Sequence, residues 1–193
     1  MYAEEHDAYD AERHLTLGTK DSAELLAKLE YEWYTNDEAH TAALYAARAV
    51  FPYLLVGNVR DATKSLRIFT SRLSDANKSL GVQDVASQQH ELRIYPSLPL
   101  LNFLGLLLLA VQKGSADLFR QLRTHYAVHL REVQTWDEAL ETVAEIYFRI
   151  QRPRQGNPLM DMMGSMFGGA APQKPAPKRV VGSSSGPVAE GLD

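Results

Sequence analysis

Three glycine-led joints constrain the folding of this chain more than anything else in it: Gly18-Thr19, Gly57-Asn58 and Gly114-Ser115. In each, glycine can adopt the left-handed backbone that ends a helix, and the next residue carries a side-chain oxygen able to cap the following one. With so little chain between successive helices, neighbours must fold back on one another. The sequence therefore predicts an all-α, antiparallel stack of helices. Such a stack offers a long surface and has no built-in reactive pocket, which favours a scaffold over a catalyst.

Apolar spacing fills in the helices. Leu25, Leu26, Leu29 and Trp33 recur at three- and four-residue intervals after Asp21, which with Glu24 is expected to form a capping box. Leu44, Tyr45, Ala49, Tyr53 and Leu54 make the next stripe, with Pro52 expected to bend its last turns and Gly57 to stop it. The stripe Ala62, Leu66, Phe69 and Leu73 follows Asn58. Later, Leu118, Leu122, Tyr126 and Val133 are expected to line one helix, and Thr135 with Glu138 to cap another through Trp136, Leu140, Val143, Tyr147 and Ile150.

One stretch breaks this rhythm. Between Val82 and Pro96 the chain is polar around Ser87-Gln88-Gln89, then Leu92-Arg93-Ile94-Tyr95 alternates with the period of a strand before Pro96 halts it. This reads as a β-hairpin at about residues 82–96, with an irregular connection as the alternative. A lone two-stranded hairpin is marginal in water, so it must lie against the helices or be completed by another chain. The run Leu98–Val111 that follows is apolar on nearly every side, yet shorter than the roughly 18 residues a bilayer span needs. It must be covered all round, either wholly by its own neighbours or with one face reserved for a partner.

Beyond Ile150 the composition changes: six of the nine prolines and seven of the twelve glycines lie there, and no Tyr or Trp. A segment so poor in bulky apolar groups cannot offset its ordering entropy, so the expected organisation is a helical domain over 1–151 and a disordered tail over 152–193. Within the tail, Met160, Met162, Met163, Met166 and Phe167 form a soft apolar cluster, and Lys174, Lys178 and Arg179 are too few for a nucleic-acid patch.

The formal net charge of -4 supplies no general drive toward nucleic acid or an anionic membrane. With no cysteine, the chain has no disulfide, thiolate zinc site or cysteine nucleophile and suits a reducing compartment. The acidic start lacks the basic and apolar regions of a secretory signal, so cytoplasm is the expected location. His125, His129 and Glu132, at i, i+4 and i+7, could present metal ligands along one helical face, but His129 falls within the apolar arc, where packing is the commoner role. Gly182-Ser183-Ser184-Ser185-Gly186 spells a nucleophile elbow without the strand and helix such an elbow requires. Glu138, Glu141 and Glu145 read as a solvated helix face. No cofactor, metal or enzymatic activity is expected.

Several blocks together resemble one family. Glu12-Arg13-His14-Leu15 before Gly18-Thr19, Leu29-Glu30-Tyr31-Glu32-Trp33-Tyr34, Leu44 to Val50, Tyr53 to Ala62, and Leu98-Pro99-Leu100-Leu101-Asn102-Phe103 are similar, in order, to the scaffold subunit of the guided-entry-of-tail-anchored-proteins (GET) pathway. The mammalian counterpart belongs to the transmembrane-recognition complex. The resemblance covers most of Glu12 to Pro158. It implies a TPR-like α-solenoid with a β-hairpin insertion, acting as a non-catalytic cytosolic adaptor that delivers tail-anchored membrane proteins to the endoplasmic reticulum. In that family the amino-terminal half binds the targeting ATPase and the carboxy-terminal half binds a ubiquitin-like-domain partner. Against it the chain is expected to begin partway along the solenoid, without the helices that would grip the ATPase, which leaves ATPase binding open while binding of the ubiquitin-like partner is expected to be retained. The alternative function is a helical-repeat subunit of another cytosolic assembly.

The residues agree with a docking place on the hairpin side. Leu92, Ile94 and Tyr95 give the hairpin an apolar side, and Leu98, Leu101, Phe103 and Leu104 open the apolar helix beside it. Together these seven are expected to form a ledge for an amphipathic or extended segment of the ubiquitin-like partner.

Overall fold

The computed structural model describes residues 10–19, 21–86 and 91–151. The chain divides into the units Met1–Arg152 and Pro153–Asp193. Everything described below belongs to the first. The tail readings, including the methionine cluster, the basic residues and the Gly182 to Gly186 match, lie outside the described residues.

The helices follow as α1 (residues 10–16), α2 (Ser22–Tyr34), α3 (Ala42–Leu55) and α4 (Val59–Ala76). Two strands, β1 (Gln83–Ala86) and β2 (Glu91–Ile94), precede α5 (Pro99–Lys113), α6 (Ala116–His125), α7 (Ala127–Leu130) and α8 (Asp137–Phe148). Helices α2, α3 and α4 pack mutually; α3 also meets α5 and α8, while α5 meets α4, β2, α6 and α7. The helical stack with a hairpin insertion is thus as expected.

Two of the three joints are built as the sequence predicts. Gly57 (φ +79°) and Gly114 (φ +61°) are left-handed. After each glycine the chain closes a paired bond back onto the helix: Asn58 N–H to Tyr53 O at 2.8 Å with Gly57 N–H to Leu54 O at 3.0 Å, and Ser115 N–H to Ala110 O at 3.2 Å with Gly114 N–H to Val111 O at 3.1 Å. The next helix is then capped, the Asn58 Oδ1 accepting from Asp61 N–H at 3.1 Å and the Ser115 Oγ from Leu118 N–H at 3.3 Å.

The first joint differs. Gly18 is not left-handed, and a Cβ there would collide with the Ser22 side chain. Its smallness serves a close approach. Asp21 stands at the N-cap of α2 with helical dihedrals (φ -91°, ψ -13°) and makes no side-chain cap. An N-cap oxygen reaches the orphan N–H groups from an extended residue, so the expected capping box does not form. Glu24 instead binds Lys28 Nζ at 2.6 Å. The Thr135 and Glu138 box fails for a related reason: a 3-10 turn over Arg131–Trp136 runs directly into α8, so Trp136 is the N-cap and no side chain caps it.

The helix expected from Leu118 through Val133 is broken. It ends at His125, resumes for one turn and stops at Leu130, and Val133 is non-helical (φ -124°, ψ 54°). Two stripe residues also face outward: Leu25 is 54% and Leu44 38% exposed. Alanines take the buried positions, with Ala23, Ala27, Ala43, Ala46 and Ala47 letting α2 and α3 lie close.

The hairpin pairs antiparallel, Gln83 opposite Ile94 and Val85 opposite Leu92. It is not isolated. The Asn102 side chain of α5 accepts from Tyr95 N–H at 2.7 Å and donates to Tyr95 O at 2.8 Å, so a carboxamide extends the strand's pairing where β2 has ended. Helix α5 buries Leu101, Phe103, Leu104, Leu107, Leu108, Ala110 and Val111. Among the described residues no helix is long and apolar enough to cross a membrane.

Candidate partner-binding groove

A groove of about 740 Å³ runs between α4, β2 and α5. Its α4 wall includes Thr63, Leu66, Arg67, Ile68 and Ser71; Leu92 and Arg93 form the opposite wall, and Leu101, Gly105, Leu108 and Leu109 the floor. Polar contacts fix that spacing. The Arg93 Nη1 donates to Ser71 Oγ at 3.0 Å, and the Tyr95 hydroxyl donates to Thr70 O at 3.2 Å and lies 2.9 Å from Ser74 Oγ. At the far end of α5, the Gln112 Nε2 donates to Thr63 Oγ1 at 3.0 Å. A Cβ on Gly105 would come within 3.2 Å of Leu92 Cδ1, so the bare position lets the hairpin settle close to the floor.

The rim is basic. Arg67, Arg72 and Arg93 line the groove with Asp75 as its lining acid. Asp75 is already held by Lys78 at 3.3 Å, and Arg93 also meets Asp84 at 3.4 Å across the hairpin. The Arg72 guanidinium lies over the Tyr31 ring at 5.8 Å, which fixes its direction.

The seven residues expected to form the ledge do not share one exposed surface. Tyr95, Leu98, Leu101, Phe103 and Leu104 are buried, while Leu92 and Ile94 are half-buried. Neighbours cover most of α5, and Phe103 meets Tyr126 at 5.6 Å and Trp136 at 6.4 Å. Leu92, Tyr95 and Leu101 line the groove. Sequence reasoning missed its α4 wall. Ile68 lies off the buried stripe Leu66, Phe69 and Leu73, and Gly105 interrupts a run of leucines; both were the available signals.

The histidine set does not assemble. His125 closes α6, His129 belongs to the single turn of α7 and Glu132 to the 3-10 turn, with Tyr126 stacked edge-on to His125 at 4.9 Å. Among the described residues, no three His, Asp or Glu side chains come together to hold a metal.

A family model described as Golgi to ER traffic protein 4 (GET4) matches residues 1–167. The chain belongs to the GET4 family. It is 66% identical over 170 residues to the Golgi to ER traffic protein 4 of Aspergillus fumigatus, covering 88% of this chain and 49% of that protein. The Schizosaccharomyces pombe relative of the same name is 30% identical over 171 residues, covering 88% of this chain and 54% of that one. The chain thus spans about half the length of the curated relatives it matches. A solved structure, the crystal structure of C. therm. Get4, superposes with a TM-score of 0.75 at 60% identity over 92% of this chain and 57% of its own. The GET4 resemblance and the helical-repeat fold are both borne out.

Proposed function

We propose that this chain is a non-catalytic cytosolic adaptor in the delivery of tail-anchored membrane proteins to the endoplasmic reticulum. The groove between α4, β2 and α5 receives a segment of the pathway's ubiquitin-like-domain protein. Membership of the GET4 family supports the pathway, and the groove carries the assignment of the docking place. An apolar floor between two walls held at fixed spacing suits apolar anchors spaced along a helix or strand. The basic rim selects a segment with acidic flanks. Of the seven residues first expected, Leu92, Tyr95 and Leu101 retain a place in this reading; Leu98, Phe103 and Leu104 support it from the core, and Ile94 lies beside it.

The test is titration of the ubiquitin-like-domain protein into the chain carrying Ile68→Glu together with Leu92→Glu. Placing charge on both apolar walls is expected to weaken binding about 30-fold or more, the size of one central hot spot. Val128→Glu, at an exposed position on α7, is expected to leave affinity unchanged. Unchanged affinity in the double variant, with helicity retained, removes the groove from the reading.

A further inference from the structure

Glu30 of α2 is fully buried, and neither of its carboxyl oxygens receives a hydrogen bond from an N–H or hydroxyl group among the described residues. The Arg48 Nε of α3 lies 3.4 Å from Glu30 Oε2, outside good bonding distance for a charge-assisted contact. That guanidinium is committed elsewhere: its Nε donates to Glu12 Oε1 of α1 at 2.7 Å, Nη2 contacts the same oxygen, and the group lies 5.3 Å over the Trp33 ring. The same Arg48 Nε stands between Glu12 Oε1 at 2.7 Å and Glu30 Oε2 at 3.4 Å, so one guanidinium gathers the two carboxyl groups. Two carboxyl groups can bond to each other only if one carries a proton.

Charge counting gives the same answer. Among the described residues the charged groups acting on Glu30 are Glu12 and Arg48, and these three side chains, all ionised, would carry one negative charge in excess. Retaining one proton makes the set neutral and supplies the missing donor. A further titratable neighbour among the described residues is Tyr45 of α3, whose hydroxyl is occupied with Asp37 at 3.0 Å. Helix α1 is also tied to α3 by the Tyr53 hydroxyl, which donates to Leu15 O at 3.0 Å.

We propose that Glu30 is a neutral acid in the folded chain, donates its proton to Glu12, and with Arg48 forms a proton-dependent clamp fastening α1 onto α2 and α3. Burial is the largest influence on Glu30, followed by the bond to Glu12 and its charge; with Arg48 opposing, its pKa rises from 4.5 to about 9. Between those limits the folded chain holds a proton that the unfolded chain has released. The stability contributed is complete below the ordinary carboxylate range and is lost as pH rises toward the raised value.

The experiment uses the full chain and Glu30→Gln, whose amide keeps the shape and the donor but cannot ionise. Wild type is expected to release about one proton more than the variant on unfolding at pH 7, and to lose stability more steeply between pH 5 and 9. Amides of residues 10–16 should exchange increasingly fast above pH 8 in wild type, beyond the intrinsic rise in rate, and not in the variant. The carboxyl carbon of Glu30, observed by NMR, should titrate far above 4.5. Should Glu30→Gln fail to fold, Glu12→Gln serves: removing the acceptor's charge must move the Glu30 titration downward. An ionised Glu30 at pH 7, an unaltered pH slope in Glu30→Gln, or a Glu30 titration indifferent to Glu12→Gln overturns the clamp.

Discussion

In the packing of α2 on α3 an acid is buried beside one shared guanidinium, whereas in the packing of β2 on α5 a carboxamide is buried against bare backbone. Asn102 has a donor and an acceptor, Tyr95 N–H and C=O have the complements, and both bonds are short, at 2.7 and 2.8 Å. Neither a carboxamide nor a peptide group changes charge near neutrality. Glu30 has acceptors only unless protonated, so its region depends on the solution and the Asn102 region does not. The lesson is that completeness of pairing, more than polarity itself, decides whether a buried group makes a joint rigid or responsive.

The largest test of that contrast is Asn102→Ala. It strips both partners from Tyr95 and is expected to cost about 2–3 kcal/mol, read from urea unfolding, with the same loss at pH 5 and pH 9. Faster amide exchange in β1 and β2 should accompany it. A loss that varies with pH would break the comparison. A smaller effect is expected from Tyr95→Phe, which removes the hydroxyl bonds to Thr70 and Ser74 while leaving the backbone pair to Asn102, and should cost about 1 kcal/mol by thermal unfolding. The smallest is Lys28→Ala. That variant removes a half-exposed partner of Glu24 one helical turn away, and a denaturant midpoint little changed from wild type would separate surface charge from the buried Glu30 set.

Much of the fold was legible because its signals are local. Gly57-Asn58 and Gly114-Ser115 specify both a left-handed stop and the next cap within two residues, and Leu92-Arg93-Ile94 alternates visibly. Capping at Asp21 and Thr135 was misread because composition cannot show whether the candidate residue is extended, and here both places are already helical. Leu25 and Leu44 fit the apolar spacing of their helices, yet close helix packing gives the inner places to alanines. The site was less legible still. Leu101, Phe103 and Leu104 lie on one apolar stretch, and only the surrounding helices decide which reaches a groove and which is enclosed. Glu30 sits in Leu29-Glu30-Tyr31-Glu32, where nothing distinguishes it from the exposed Glu32. The difference comes from Glu12 and Arg48, which the fold delivers from 18 residues on either side.

Gly105 carries the least matter of any residue in the groove, and its effect is set by what it lacks. A first side-chain carbon there would press the Leu92 Cδ1 methyl outward by a few tenths of an ångström, so the depth at which that side chain seats over α5 follows from an omission. In the proposed docking, the room open to a bulky anchor is therefore metered by how far the Leu92 side chain can swing aside while Asn102 holds the base of the hairpin.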